Sequence, residues 1–256
     1  MAFNVWDRVL VKGVHTVENR DYVRLFNPVE ATITAVFSDT VFGIHPEIYG
    51  ANTINTTEDE VEFIKRASDD VNMIYLAGDM LSSGAQLQRK KEATELRKRG
   101  LELYVPHEDE SINDKANVDN ERLAERIVEN DTDGIMKSDA IVIDCNENGK
   151  GTLVELGQIK GMRDMATLVE RIIETYTGFD DSVVDAVLEV CEEIKSKKVY
   201  PHNTDIRRQN TAEQQGDRRE FGVNQYVYGV ALDLTDGKGF YELDEIYSAL
   251  GSGSNE

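Results

Sequence analysis

Two side chains that could take part in catalysis lie in or just after short apolar runs of this sequence. Tyr75 lies in the apolar run 73–78, and Glu155 follows the run 140–145 after a glycine-rich turn. A carboxylate in the first turn of a helix lies in the partial positive charge of the helix N-terminus, which favours the ionised form that a nucleophile needs. A buried tyrosine needs a hydrogen-bond partner, and a carboxylate at a neighbouring strand end would provide one. These residues predict carboxylate chemistry without a metal.

Each candidate residue also has an interpretation without chemistry. Thr152 and Glu155 have the spacing of a capping box, and the local sequence favours that interpretation. Tyr75 also fits a core tyrosine whose hydroxyl reaches water. Asp131, which precedes the run 140–145, fits a loop or cap residue, and the acidic run 108–110 fits solvated surface.

Other familiar chemistries do not fit the sequence. The segment 149–152 is similar to part of a Walker A loop, but Asp144 stands where the first glycine belongs. Val154 stands where a dinucleotide-binding pattern needs its last glycine. The four histidines are scattered, so no zinc site or Ser/His/Asp triad is visible. The sequence therefore predicts no metal and no cofactor.

The elements that position these residues fall into two parts. Residues 1–70 contain short β-branched or aromatic runs at 9–11, 22–26, 31–37 and 60–64, separated by turn residues such as Asn27 and Pro28. This pattern predicts a small all-β, barrel-like domain. Residues 71–250 alternate strands with helices, which predicts an α/β domain with a doubly wound parallel sheet of the flavodoxin or Rossmann type. Residues 251–256 are predicted to be a flexible tail.

Within the α/β domain the patterns assign individual elements. Strands are predicted at 73–78, 101–106, 140–145 and 198–201. Helices are predicted at 84–99 and 119–136, from Thr152 onward, in two further segments within 163–196, and at 241–250, while 226–232 fits either a helix or a strand. Residues 203–222 are polar and predict a surface loop. Because ligands of such sheets bind beyond the carboxyl ends of the strands, the site is expected there.

The charge and composition of the chain exclude some classes of binding partner. The 256 residues contain 28 Lys and Arg against 49 Asp and Glu, a net charge of −21. A negative field of this size repels nucleic-acid polymers and anionic membranes, although a small nucleotide could bind in a local pocket. Two cysteines exclude a disulfide framework, and no apolar stretch approaches 18 residues, so a soluble, cytoplasmic protein is expected.

Three short motifs occur in order on the α/β pattern: Ile-Tyr-Leu-Ala-Gly at 74–78, Asn-Asp at 130–131, and Gly-Thr-Leu-Val-Glu-Leu-Gly at 151–157. Together they make the segment 72–162 similar to the nucleoside 2-deoxyribosyltransferase family. The resemblance implies that Glu155 is the nucleophile, forming a covalent 2-deoxyribosyl-enzyme that a second base resolves with net retention. It also implies that Tyr75 orients Glu155 and that Asp131 lines the sugar or base pocket.

The resemblance carries further expectations. Gly78 would let the backbone approach the ligand, and the other substrate-binding positions would be Asp79, Asn130, Gly151 and Asn224. The expected partners are a 2-deoxynucleoside and a free nucleobase. A homo-oligomer is expected, in which a neighbour's C-terminal segment completes the pocket. The segment 224–226 could take that part, although core packing of Tyr226 and Tyr228 explains these residues more simply.

One position departs from the family pattern. The family has an Asp six residues before the nucleophile, where this sequence has Gly149. Asn148, Glu147 and Asp144 are nearby carboxylates or amides, but none is in register. Three functions therefore stay open: base exchange in nucleotide salvage, an N-glycosidase on the same scaffold, and a nucleotide-binding module without chemistry.

Overall fold

The computed structural model describes residues 8–17, 22–38, 41–46, 54–57, 61–65, 71–114, 119–175, 181–206 and 223–251. The chain forms two compact units, Met1–Val71 together with Ala231–Glu256, and Asn72–Val230. The sequence-based domains differ from these units, because they place residues 231–250 in the α/β domain. The domain limits 1–70, 71–250 and 251–256 stay predictions. Residues 252–256, most of the predicted tail, lie outside the described part. No helix of the described residues is long and apolar enough to cross a membrane.

The N-terminal strands form one antiparallel sheet in the order β2-β3-β4-β1-β5, with a further pairing between β2 and β1. Its strands are β1 (Arg8–Val17), β2 (Tyr22–Ser38), β3 (Val41–Pro46), β4 (Ile54–Thr57) and β5 (Val61–Lys65). The predicted break at Asn27 and Pro28 is wrong, because β2 runs through it. The pairing of β1 with β2 shifts register there, and such a bulge tolerates a residue that has no backbone N–H to donate. Barrel-like closure stays a prediction.

The second unit contains the four predicted parallel strands, β6 (Met73–Ala77), β7 (Glu102–Tyr104), β8 (Ala140–Asp144) and β9 (Lys198–His202). Their order in the sheet is β7-β6-β8-β9. Every residue of β8 is buried, which explains its unbroken apolar run. The chain moves outward from β6 to β7 and then back across β6 to β8. The strand order therefore reverses between β6 and β8, the place where ligands of open α/β sheets bind.

The helices are α1 (Ser83–Arg97), α2 (Glu110–Asn113), α3 (Leu123–Lys137), α4 (Lys150–Thr175), α5 (Asp181–Ser196), α6 (Gln225–Leu234) and α7 (Leu243–Leu250). A single 3-10 turn, Pro106–Glu108, precedes α2. The prediction for α4 was wrong in two respects. The helix begins two residues before Thr152, and it continues unbroken to Thr175, where a separate segment was expected from 163.

The two faces of the parallel sheet carry different helices. With the right-handed crossovers that parallel strands adopt, α1 covers one face, and α3 and α4 cover the other. Tyr75 and Tyr104 are paired across β6 and β7, so their side chains lie on the same face. That face is the one under α3, because the Tyr104 ring occupies the space beside Gly134 of that helix.

Candidate active site

Glu155 of α4 and Tyr75 of β6 lie against each other at the face of the sheet that α3 and α4 cover. Tyr75 is the third residue of β6 and is fully buried. Glu155 is the sixth residue of α4, in its second turn. The capping-box interpretation is wrong, because a capping box would need Thr152 before the helix, and Thr152 lies inside it.

Asp131 joins the same group of side chains from α3. Tyr104 donates its hydroxyl to Asp131 Oδ1 at 3.2 Å and is within 3.2 Å of Asp109 Oδ2. The Tyr104 ring stacks on Tyr75, with 5.6 Å between ring centroids and 10° between ring planes. The stack fixes the position of both hydroxyl groups. Two helices and two strands thus bring the Asp131 and Glu155 carboxyl groups to the same pair of tyrosines.

Burial and mutual repulsion control the protonation of these carboxyl groups. Burial and the charge of Asp131 raise the pKa of Glu155 to about 7, and the nearby Tyr75 phenol partly offsets this by lowering it. Burial also raises the pKa of Asp131 to about 6, against the opposing effect of the Tyr104 hydrogen bond. The expected ionisation of Glu155 by the helix N-terminus is therefore outweighed by burial. The pair gains its first proton close to neutral pH.

Two buried polar atoms of the site have no hydrogen-bond partner among the residues that the structure describes. They are Tyr75 Oη and Glu155 Oε2. The phenol lies near enough to stabilise the carboxylate, yet the two groups do not reach hydrogen-bond geometry. A buried polar group without a partner costs about 1–3 kcal/mol, so these atoms favour a ligand that carries hydroxyl groups.

Asn130 fixes the edge of the site. Its Nδ2 donates to Asp109 Oδ2 at 3.0 Å and to Ser111 Oγ at 3.1 Å. Burial raises the pKa of Asp109, but hydrogen bonds from Ser111 and Asn130 outweigh it, and the net pKa is lowered. Asn130 and Asp109 therefore join α3 to the segment that follows β7, while Gln158 of α4 donates to Thr132 Oγ1 of α3 at 2.9 Å.

Gly78 has a structural partner on the opposite face. A Cβ at this position would lie 2.5 Å from Arg89 Nη1. Arg89 is 1% exposed and donates to Ala77 O at 3.0 Å and to Asp144 Oδ2 at 2.9 Å. It also forms an ion pair with the buried Glu92. Gly78 thus makes room for a guanidinium group, and its predicted approach to a ligand stays a prediction.

The glycine-rich turn before α4 contacts the loop after β6. A Cβ at Gly149 would lie 3.3 Å from the Asp79 backbone nitrogen, so the two loops touch. Asp79 Oδ1 accepts a hydrogen bond from Leu81 N at 2.9 Å. Gly151 is exposed, and no atom lies within 4 Å of the position that its Cβ would take. Gly151 is therefore open to a ligand or to solvent.

Asn224 lies just before α6. None of its described hydrogen bonds reaches Tyr75, Asp131 or Glu155. Its Oδ1 accepts a hydrogen bond from Tyr226 N at 2.9 Å, the arrangement of a helix cap. Tyr226 is 82% exposed, so its predicted core packing is wrong, whereas Tyr228 is buried as predicted. Most of the predicted surface loop 203–222, from residue 207 to residue 222, lies outside the described residues.

Comparison with known proteins finds one family that is similar to part of this chain. Residues 74–176 match the family model of nucleoside 2-deoxyribosyltransferase. The predicted family resemblance is confirmed. The match contains Tyr75, Asp131 and Glu155. No curated protein matches the chain.

Two solved structures are similar to this chain at low identity. A conserved protein from Enterococcus faecalis V583 is 18% identical, with 70% of this chain and 97% of that chain covered and a TM-score of 0.45. A 2-deoxyribosyltransferase from Bacillus psychrosaccharolyticus is 12% identical, with 70% and 96% covered and a TM-score of 0.35.

The departure from the deoxyribosyltransferase pattern at Gly149 has no substitute among the three residues named from the sequence. Asp144 is 2% exposed and binds Arg89 and the Thr204 hydroxyl, the latter at 2.6 Å. Glu147 and Asn148 are exposed on the turn. The described residues contain no group of three or more His, Cys, Asp or Glu side chains that could hold a metal ion.

Sequence reasoning missed Tyr104, Asp109 and Arg89. Tyr104 is the last residue of β7 and Asp109 lies in the segment that follows, so their position at the carboxyl end of a strand was the available signal. The acidic run 108–110 was interpreted as solvated surface, whereas Asp109 is hydrogen-bonded within the site. The sequence does not indicate that Arg89 is buried, because it lies in a basic stretch of a helix whose composition is typical of an exposed surface.

Proposed function

We propose that the α/β unit transfers a 2-deoxyribosyl group between nucleobases, with Glu155 as the nucleophile. The observation that carries the proposal is the placement of Glu155, whose carboxylate interacts with both the Tyr75 phenol and Asp131 on the helix-covered face of the sheet. The family match over 74–176 supports the same activity. The substrates are a 2-deoxynucleoside and a free nucleobase, and the exchange serves nucleotide salvage in the cytoplasm.

The reaction proceeds in two displacements. Glu155 attacks C1′ of the deoxyribosyl group, forming a C1′–O bond while the C1′–N bond breaks and its electron pair passes to the leaving base. A nitrogen of the second base then attacks C1′ and releases Glu155 as a carboxylate. Each displacement inverts C1′, so the product retains the starting configuration. The negative charge of the Glu155 carboxylate stabilises the positive charge that develops on the sugar.

The two carboxyl groups divide the proton between them. Because the pKa of Glu155 is about 7 and that of Asp131 is about 6, a single proton shared by the pair lies mainly on Glu155. In the reactive form this proton lies on Asp131 instead, so that Glu155 attacks as a carboxylate and Asp131 protonates the leaving base. Tyr104, bonded to Asp131, holds that carboxyl in place. This assignment removes the need for an acid at Gly149.

A nucleotide-binding module without turnover is the second candidate. Gly149 is the observation that favours it, because the family's carboxylate is absent there and Asp144 is held by Arg89. A module of this kind would keep the pocket and lose the chemistry. The N-terminal sheet would then be the part of the protein that binds other molecules.

The test combines the full chain with a 2′-deoxynucleoside and a different free base, followed by chromatography of the products. Glu155→Ala is the test variant, and Glu174→Ala, at an exposed position of the same helix, is the matched control. A second sample without acceptor base is analysed by mass spectrometry for a 2-deoxyribosyl adduct on the peptide that contains Glu155.

The proposal predicts a new deoxynucleoside in the wild type and in Glu174→Ala, its loss in Glu155→Ala, and an adduct at Glu155. Release of free base without exchange would identify an N-glycosidase instead. No turnover of nucleosides or 5′-monophosphates, combined with a ligand-dependent rise in melting temperature, would identify the binding module.

A further inference from the structure

The Tyr104 hydroxyl lies between two carboxyl groups, 3.2 Å from Asp131 Oδ1 and 3.2 Å from Asp109 Oδ2. The ring that carries this hydroxyl is held in place, because it stacks on Tyr75 and fills the space beside Gly134. A phenol hydroxyl has one hydrogen, so it donates to one carboxylate at a time. The carboxyl group that does not accept this hydrogen either faces the lone pairs of the phenol oxygen or holds a proton of its own and donates it to that oxygen.

The two carboxyl groups differ in their other hydrogen-bond partners. Asp109 accepts hydrogen bonds from Ser111 N at 2.9 Å, from Ser111 Oγ at 2.6 Å and from Asn130 Nδ2 at 3.0 Å. Hydrogen bonds donated to a carboxylate favour its ionised form. Asp131 is 9% exposed, and among the residues that the structure describes its hydrogen-bond partner is Tyr104 alone. Asp109 is therefore the lasting carboxylate, and Asp131 is the group that gains and loses a proton.

We propose that Asp109 is a positioning residue that keeps the reactive proton on Asp131, acting through the Tyr104 hydroxyl. This proposal rests on the proposed function, in which Asp131 protonates the leaving base. When Asp131 is protonated, it donates to the Tyr104 oxygen, and the Tyr104 hydrogen points to Asp109. When Asp131 is ionised, the Tyr104 hydrogen turns to Asp131. Without Asp109 this hydrogen would have only Asp131 to accept it, and Asp131 would stay ionised.

The rotation of the Tyr104 hydroxyl accompanies both displacements. As the C1′–N bond breaks, the Asp131 proton passes to the nitrogen of the leaving base, and the Tyr104 hydrogen turns from Asp109 to the new Asp131 carboxylate. As the second base attacks, its N–H proton returns to Asp131 and the Tyr104 hydrogen turns back to Asp109. Tyr104 stays neutral throughout, because burial and the two carboxylates raise the pKa of its phenol. The other titratable groups that face Asp131 are Tyr75 and Glu155.

The variant Asp109→Asn removes the acceptor while it keeps the shape of the side chain. When the amide oxygen of the new side chain stays on the Ser111 nitrogen, its NH2 group points to Tyr104 and donates to the phenol oxygen. The Tyr104 hydrogen then remains on Asp131. The matched control is Asp133→Asn, which removes an exposed carboxylate from α3. Circular dichroism verifies that each variant is folded.

The dependence of the rate on the leaving base tests whether the proton is lost. The single-turnover rate of base release is measured for 2′-deoxyuridine against 5-nitro-2′-deoxyuridine, or for 2′-deoxyguanosine against N7-methyl-2′-deoxyguanosine, according to which base the wild type accepts. The base of the modified substrate departs readily without a proton. We expect Asp109→Asn to lower the rate on the order of 10²-fold for the unmodified substrate and at most about threefold for the modified one, with Asp133→Asn unchanged on both. An equal loss on both substrates would overturn the inference, because a merely structural role does not depend on the leaving base.

Carbon-13 NMR titration of the aspartate carboxyl groups tests the same inference without turnover. In the wild type the pKa of Asp109 should lie below that of Asp131, and the reverse order would overturn the inference. Asp109→Asn should lower the pKa of Asp131, and it should do so by less in the Tyr104→Phe background, where the connecting hydroxyl is missing. An equal change in both backgrounds would mean that the charge of Asp109 acts through space, which also overturns the inference. A wild type that turns over none of these substrates would refute the proposed function, and the titration would then decide the inference by itself.

Discussion

Replacing Glu155 by glutamine is expected to raise the free energy of unfolding at pH 8 and to leave it nearly unchanged at pH 4. Burial and Asp131 raise the pKa of Glu155 from 4.5 to about 7 in the folded protein. The folded protein therefore keeps a proton that the unfolded chain releases as the pH rises from 4.5 to 7. Across that window the wild type loses stability as the pH rises, because the folded state binds more protons than the unfolded state. Glutamine, which has the shape of the protonated acid, does not titrate.

The size of the effect follows from the two pKa values. The difference between 4.5 and about 7 corresponds to ~3 kcal/mol, at about 1.4 kcal/mol for each pH unit. Asp131 also titrates near this range, which reduces the effect of removing one charge of the pair. We therefore expect Glu155→Gln to gain about 2 kcal/mol over the wild type at pH 8, or a rise in melting temperature of roughly 5 °C.

Urea unfolding followed by far-UV circular dichroism at pH 4, 6 and 8 measures this gain. Glu174→Gln, at an exposed position of the same helix, is the matched control for the loss of a carboxylate from α4. The reasoning is refuted if Glu155→Gln is less stable than the wild type at pH 8. It is equally refuted if the difference between variant and wild type does not grow from pH 4 to pH 8.

Three further predictions follow from neighbouring contacts. Tyr75→Phe should raise the pKa of Glu155, because the phenol that favours the carboxylate is lost, and this should move the acidic limb of the pH–rate profile to higher pH; an unmoved limb would contradict it. Arg89→Met should cost about 3–5 kcal/mol in urea unfolding, because two buried carboxylates lose their cation, and an unchanged midpoint would refute this. Gly134→Ala should cost about 1–3 kcal/mol, because its Cβ would lie 2.6 Å from the Tyr104 ring, and a crystal structure should show that ring displaced.

The parallel sheet could be predicted because its strands are buried on both faces. The run 140–144 is apolar up to its final aspartate, which is typical of a strand that is buried on both faces. A buried helix would need a longer apolar run. The strands β3 and β4 were missed, since Val41–Pro46 contains a glycine and Ile54–Thr57 is mostly polar. Short strands obtain their stability from pairing with their neighbours, which leaves little trace in the local sequence.

The grouping of Tyr75, Asp131 and Glu155 could be predicted only through the order of their motifs along the chain. Local patterns favoured a cap for Glu155 and a loop for Asp131, and both interpretations fail because the tertiary fold decides where these side chains point. The stacking of Tyr104 on Tyr75 depends on the register of β6 with β7, which no periodicity within either strand encodes. The burial of Arg89 depends on Asp144, 55 residues away.

The space shared by Gly78 and Arg89 has a consequence for how this fold can change over evolutionary time. The guanidinium group occupies the volume that any side chain at position 78 would need. A mutation that adds a side chain at 78 is tolerated only in a protein that already has a shorter side chain at 89. A shorter side chain at 89, however, leaves the buried acids that Arg89 neutralises without a cation. We therefore expect positions 78, 89 and 144 to covary among relatives, so that a chain with a larger residue at 78 also lacks the arginine and the aspartate.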